Sequence, residues 1–325
     1  MINSYKMRIL VTGGTGLFGS ALQSVKKREG WPDEWFFVSS TDANLLSITE
    51  VQALFERTQP THVIHLAARV GGLFANNRDN VGFFRDNINI TMNVLDTCHK
   101  MGVKKVVSCL STCVFPDGAP LPLEEKIIHN GRPHPSNEGY SFAKRMLEVL
   151  SRLYSKQYGM TCVSVVPTNL YGENDNFDLQ EAHVIPALIH KAYLAKQNGE
   201  LLHVSGTGEP LRQFMYAEDT AKLIYRVLME YNDVEKPLML TVPESWEVSI
   251  KECVYLITKE IGLDKSRVIF DNNIGKNGQY QKTASSKNLL DIFTDFQFTT
   301  LETGLHKTVQ WFISNYPSVR GAIIV

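Results

Sequence analysis

The first half of the chain alternates between two hydrophobic rhythms. Short continuous apolar runs at 9–11, 35–38, 62–67, 105–110 and 162–166 have the length of strands buried on both faces, as in a parallel sheet. Between them apolar residues recur every three or four positions, which predicts helix: Leu17, Phe18, Ala21, Leu22 and Val25 first, then Val51, Leu54 and Phe55. Two longer helical stretches cover 83–98 and 140–158. Ser47-Ile-Thr-Glu50 has the form of a capping box and sets the start of the second helix. Strand and helix in regular succession predict an α/β fold: a doubly wound parallel sheet with right-handed crossovers.

The rhythm breaks after Pro167, where loops lengthen and Asn, Gly and Asp become frequent. One domain is therefore expected over 1–167, with a return over about 212–243, where Gln213-Phe-Met-Tyr216 and a helix over 217–231 resume the alternation of strand and helix. Residues 168–211 and 244–325 form a smaller, discontinuous C-terminal α/β domain.

The first strand runs into a glycine turn, Met7-Arg-Ile-Leu-Val-Thr-Gly-Gly-Thr-Gly-Leu-Phe-Gly19. Gly13, Gly16 and Gly19 allow a tight turn, close approach of backbone to a pyrophosphate, and close helix–sheet packing. The helix that opens at Leu17 and Phe18 offers free N–H groups and the positive end of its dipole to phosphate. Further along, Tyr140-Ser-Phe-Ala-Lys144 puts a phenol and an ammonium on one helical face. A neighbouring cation favours the ionised phenol, so Tyr140 is expected to exchange a proton near neutral pH. Ser111 and Cys113 follow the fourth strand and, as extended chain, would share a face.

Composition narrows the classes. With 43% hydrophobic and 21% charged residues the 325-residue chain reads as soluble and globular. A net charge of −1 gives no general attraction to nucleic acid or to an anionic membrane. No apolar run is long enough to span a bilayer and no signal-peptide pattern opens the chain, so a cytoplasmic protein is expected. Five cysteines lack zinc-like spacing, and no metal is expected. Cys98, Cys109, Cys162 and Cys253 sit in apolar contexts and read as core.

The TGxxGxxG turn, Ser111 and the Tyr140/Lys144 pair together resemble the extended short-chain dehydrogenase/reductase family. That resemblance implies a Rossmann nucleotide-binding domain, with the smaller domain binding a nucleotide-sugar. Longer matches narrow it: His65-Leu-Ala-Ala-Arg-Val-Gly-Gly72, Leu110-Ser-Thr-Cys-Val-Phe-Pro116, Pro167-Thr-Asn-Leu-Tyr-Gly172, Asp175-Asn-Phe177 and Ala182-His-Val-Ile-Pro186. Gly278-Gln-Tyr-Gln-Lys-Thr283 extends them more loosely. These are similar to the family's bifunctional 3,5-epimerase/4-reductases of GDP-4-keto-6-deoxy-D-mannose. By that resemblance Cys113 is the epimerisation base, His183 the acid, and Ser111, Tyr140 and Lys144 the reductase set. A thiol and an imidazole both ionise close enough to neutrality for such work.

The resemblance implies NADP(H) bound over Gly13, Gly16, Leu17, Phe18 and Gly19. It adds contacts from Ser39, Ala67 and Ala68, then Tyr140, Lys144, Pro167, Asn169, Leu170 and His183. A carboxylate at the tip of the second strand would repel a 2′-phosphate; Ser39 and Ser40 stand there, and Asp42 reads as lying beyond it. For a GDP-sugar, Asn169, Lys191, Ser205, Arg212 and Lys282 hold the family's substrate positions, Arg212 being suited to phosphate. Ser205 departs from a usual Trp and Gln281 from a usual Lys or Arg; Tyr216 and Tyr280 are candidates to replace the lost aromatic surface. A homodimer through the helices at 83–98 and 140–158 is implied by the resemblance alone. Two other readings stay open: a nucleotide-sugar 4-reductase or epimerase in which Cys113 is structural, and a non-catalytic NADP(H)-binding regulator. The intact Ser111, Tyr140 and Lys144 argue against the latter.

Overall fold

Each apolar run becomes a strand in the computed structural model, which describes residues 6–273 and 279–322. In chain order the strands are β1 (Arg8–Thr12), β2 (Glu34–Val38), β3 (His62–His65), β4 (Lys105–Cys109), β5 (Thr161–Pro167), β6 (Asn169–Tyr171), β7 (Leu202–Val204), β8 (Leu211–Arg212), β9 (Phe214–Tyr216), β10 (Leu238–Leu240), β11 (Val248–Ser249) and β12 (Val268–Phe270). The helices are α1 (Leu17–Glu29), α2 (Ile48–Thr58), α3 (Leu73–Arg78), α4 (Asn80–Lys100), α5 (Glu138–Tyr158), α6 (Val184–Asn198), α7 (Ala217–Glu230), α8 (Ile250–Ile261), α9 (Lys287–Ile292) and α10 (Leu301–Asn315).

Six strands form one parallel sheet in the order β10-β5-β4-β3-β1-β2. From β1 the chain passes to β2 on one side and then to β3 on the other, so the winding reverses between β1 and β3. Ligands of open α/β sheets bind beyond the carboxyl ends of the strands at such a reversal. The central strands read as uninterrupted apolar runs because both faces are covered; every residue of β4 is buried. Lys105 at the head of that strand is buried as well, its ammonium donating to the Val227 and Tyr231 carbonyls at the end of α7.

The chain divides into two compact units, Met1–Ala119 with Glu125–Pro167 and Thr220–Leu240, and Pro120–Glu124 with Thr168–Asp219 and Thr241–Val325. The return to the first unit falls within α7, later than the expected point near 212. β9 is the reason: it pairs with β6 and so stays in the second unit. The short visit at 120–124 has no sequence signal of its own. It is fixed by Leu123, whose N–H donates to the Thr283 carbonyl at 2.7 Å.

The second unit has its own core, in which Phe177, Ile189, Ile257, Leu305 and Phe312 are fully buried. The chain's last described turn packs into this unit. Val319 is buried, the Arg320 carbonyl accepts the Phe177 N–H at 2.8 Å, and Gly321 lies so close to Asn176 and Asp178 that a Cβ there would collide.

One expected cap differs. Ser47 accepts the Glu50 N–H at 3.4 Å, but the Glu50 carboxylate turns to the Asn44 N–H instead of completing a capping box. The Ser47 N–H is already satisfied by the Asn44 carbonyl. A full box heads α8, between Ser249 and Glu252. Among the described residues, no helix is long and apolar enough to cross a membrane, and no cluster of His, Cys, Asp or Glu is arranged to hold a metal ion.

Candidate active site

The glycine turn after β1 is built by close approach. Gly13 sits at φ +72°, and a Cβ there would lie 3.0 Å from the Ala67 nitrogen. A Cβ on Gly19 would run into the backbone of Gly14. Gly16 is different: the nearest atom to a Cβ would be 3.5 Å away, an ordinary contact. Nothing in the protein's own packing requires glycine at 16. The open space lies at the head of α1, which has no side-chain cap and no acid in its first turn. That is a cradle for phosphate, and a Cβ would fill part of it.

Thr12 links this turn to β3. Its hydroxyl bonds His65 Nδ1 at 2.8 Å and accepts the Ala67 N–H at 3.2 Å. Burial, with the Lys144 cation adding to it, pulls the His65 imidazole down to about 3, so the ring is neutral. Sequence reasoning missed this pair, since residues so far apart in the chain carry no local signal; only Thr12's place immediately before the glycine turn pointed to it.

At the tip of β2 the expectation for Asp42 is corrected. The chain turns back, and one Asp42 carboxylate oxygen accepts both the Ser39 N–H and the Ser39 hydroxyl, each at 2.8 Å. Those bonds hold the Asp42 carboxyl below its usual range. A carboxylate therefore stands at the strand tip after all.

Beyond β4 the chain is not extended. Thr112–Val114 form a 3₁₀ turn with Ser111 as its cap, the Ser111 hydroxyl oxygen accepting the Cys113 N–H at 3.4 Å. The expected sharing of a face through strand geometry is thus replaced by a tight turn. Cys113 is half-buried, whereas the other four cysteines are buried. Tyr140 and Lys144 do share a face of α5, the Lys144 Nζ lying 5.9 Å from the centre of the Tyr140 ring. The same ammonium donates to the Cys109 carbonyl at 2.8 Å, which ties α5 to the end of β4.

Burial pushes the Tyr140 phenol well above its ordinary range, with the Cys113 and Cys109 thiols acting in the same direction. This reverses the expectation that Lys144 would favour the phenolate: loss of water is the largest cause of the shift. Burial also lowers Lys144, opposed by the two thiols. Phe83 meets Tyr140 edge-to-face, with centroids 6.5 Å apart, and the Arg69 guanidinium lies 4.5 Å from the centre of the Phe83 ring. Neither residue was read from the sequence as part of the site.

In the second unit, His183 is the N-cap residue of α6 and makes no capping bond with its side chain. Its ring is open to solvent, yet desolvation by the surrounding protein lowers its pKa. Pro167 ends β5, and Asn169 and Leu170 open β6, the Asn169 amide donating to the Gln213 carbonyl. Lys191 lies on α6, half-buried, and Ser205 is exposed after β7. Arg212 is committed to backbone: its guanidinium donates to the carbonyls of Leu211, at 2.6 Å, and Gln279, at 2.7 Å. Burial lowers it and Glu247 opposes the shift. Gln281 bonds the same Glu247 and Thr283, and Lys282 beside it is half-buried; Gly278 lies outside the described residues. Of the two aromatic candidates, Tyr216 is withdrawn: it is 1% exposed, and both Glu173 carboxylate oxygens accept its hydroxyl. Tyr280 is 59% exposed and remains.

A doubly wound sheet, a phosphate cradle and a Tyr–Lys pair, the lysine buried and the tyrosine half-buried, beside a serine define a nucleotide-dependent oxidoreductase or epimerase. The chain belongs to the NAD dependent epimerase/dehydratase family, whose model matches residues 9–242. It is 48% identical over 316 residues to the GDP-L-fucose synthase of Dictyostelium discoideum, covering 97% of this chain and 98% of that protein. It is 45% identical over 321 residues to the probable GDP-L-fucose synthase of Drosophila melanogaster, covering 96% and 99%. Among solved structures, a GDP-L-fucose synthetase from Naegleria fowleri bound to NADP superimposes with a TM-score of 0.91 at 44% identity, over 96% of this chain and 94% of that one.

Proposed function

We propose that the chain carries out the reaction for which those relatives are named, converting GDP-4-keto-6-deoxy-D-mannose to GDP-L-fucose by epimerisation at C3 and C5 and NADPH-dependent reduction at C4. The observation that carries this reading is the grouping of Ser111, Cys113, Tyr140 and Lys144 at the end of β4, beside the turn that leaves Gly16 open. NADP(H) fits that turn: its pyrophosphate would rest on Gly16, Leu17 and Phe18, and its adenosine would reach Ser39. Ala67, Ala68, Pro167, Asn169 and Leu170 would line the rest. When bound, the cofactor supplies the hydride for C4.

The protein's own groups do the remaining chemistry. A proton next to the C4 ketone is acidic because the enolate places charge on the ketone oxygen. Cys113 as thiolate removes it, and His183 returns a proton to the opposite face. Ser111 already accepts from the Cys113 N–H, which leaves its O–H to donate to the ketone oxygen. Tyr140, kept protonated by burial, is suited to donate to the same oxygen and to give up its proton as hydride arrives. Lys144 then compensates the phenolate. Asn169, Lys191, Ser205, Arg212 and Lys282 are the candidate GDP-sugar contacts.

The protein is proposed to act in the cytoplasm, which suits five free thiols, and as a homodimer. The dimer reading rests on α4 and α5, which leave Phe84, Met92 and Leu153 exposed. The test of function is product analysis with purified protein, substrate and NADPH in deuterated water. Tyr140→Phe is expected to lose roughly a hundredfold or more in NADPH oxidation while deuterium still enters C3 or C5. Cys113→Ser should lose both exchange and turnover. GDP-L-fucose formed by Cys113→Ser at the wild-type rate would make Cys113 structural and give the role of base to another group.

A further inference from the structure

Arg145 follows Lys144 on α5 and belongs to neither the reductase set nor the candidate GDP-sugar contacts. It is 4% exposed. Its Nε donates to the Val114 carbonyl and its Nη1 to the Gly131 carbonyl, both at 2.6 Å, while the buried Nη2 has no hydrogen-bond partner. The guanidinium also lies 5.4 Å from the centre of the Phe142 ring; a buried charge is costly unless such partners hold it. Val114 is the last residue of the 3₁₀ turn that presents Cys113, and the residue after Cys113 itself.

We propose that Arg145 is the positioning residue of Cys113: through the Val114 carbonyl it clamps the 3₁₀ turn that presents the thiol. The inference rests on the reading of Cys113 as a base, and it explains how α5 serves both halves of the reaction. Tyr140 and Lys144 belong to the proposed reductase set, and Arg145, one residue further on, holds the carbonyl of the residue after the thiol. The turn is then held at both ends, since the Ser111 hydroxyl caps the Cys113 N–H and Arg145 holds the Val114 carbonyl.

The test is deuterium exchange at C3 and C5 in the full-length protein, measured beside NADP binding and thermal unfolding. Arg145→Met is expected to slow exchange about tenfold to a hundredfold, the effect of a misplaced catalytic group, with NADP affinity little changed. Arg145→Lys, which keeps a donor without the fork, should recover part of the loss, and it carries the test if the Met variant does not fold. Unchanged exchange in a folded variant overturns the inference. Equal losses of exchange and NADP affinity do so too, since they mark a general structural role. Failure of the base assignment looks different: normal deuterium exchange in Cys113→Ser.

Discussion

Ser39 shows how much a single turn decides. The sequence places a serine at the end of β2 and an acid three residues on, and spacing alone puts that acid out of reach. In the structure it folds back and occupies both Ser39 donors. A 2′-phosphate arriving at Ser39 must displace an anion or lie beside it. Asp42→Ala is therefore expected to raise the ratio of kcat/KM for NADPH over NADH severalfold, about tenfold at most, in paired steady-state assays. A lower ratio in the variant would mean that the carboxylate does not face the adenosine ribose.

Asp175 carries the pH dependence. It is 4% exposed, one carboxylate oxygen has no partner, and burial pushes it up to about 7. A folded pKa above the unfolded value means that the native state holds a proton which the unfolded chain gives up. The stability from this group is complete below about pH 4 and falls as pH rises through about 7. Asp175→Asn retains the oxygen that accepts the Asn176 N–H and removes the charge. Its melting temperature is expected to exceed the wild type's at pH 8, by up to about 4 kcal/mol in stability, with the gap narrowing toward pH 5. An equal gap at both pH values would show that Asp175 is ionised in the fold without cost.

Among elements, α4 and α5 are linked at their N-terminal ends. Gly139 approaches Asn80 so closely that a Cβ would overlap its backbone, and the Asn80 side chain accepts the Gly139 N–H at 2.6 Å. One turn further, Phe83 contacts both Arg69 and Tyr140. Phe83→Leu keeps most of the volume and should cost under about 1.5 kcal/mol. It removes the flat edge that orients the phenol, so kcat for reduction should fall severalfold with KM for NADPH little changed. A parallel loss of stability and activity would reduce Phe83 to a core residue.

The elements themselves were legible, because strand and helix rhythms are local properties of the chain. So were the glycine turn and the Tyr140/Lys144 spacing, each of which requires only neighbours. What escaped depended on chain reversal or distant pairing: the return of Asp42 to Ser39, Thr12 against His65, the 3₁₀ turn at Cys113 and the clamp by Arg145. The direction of the phenol's shift escapes for a related reason. Spacing shows that a cation is near, but only the packed structure shows how little water remains.

At the scale of the whole molecule, the boundary of the first unit was harder to read than its contents. The succession β8, β9, α7 looks like a return to the sheet, yet β9 pairs with β6 and the crossing comes three residues into the helix. Apolar pattern reports that a strand is buried and leaves its partner unstated. A two-residue strand such as β8 gives no pattern at all; its pairing with β11 is known only from the fold.

The last described turn of the chain ties the ending of the polypeptide to the loop that leads into His183. Val319 is anchored in the core and the Arg320 carbonyl holds the Phe177 N–H, a few residues before the Asp178 side chain accepts the N–H groups of Gln180 and Glu181. These bonds hold the segment that precedes His183. A chain ending at Ser318 is expected to melt lower and to lose solvent exchange at C3 and C5 more than it loses NADP affinity, as read by deuterium incorporation and cofactor titration. Equal loss of both would make the tail a general stabiliser.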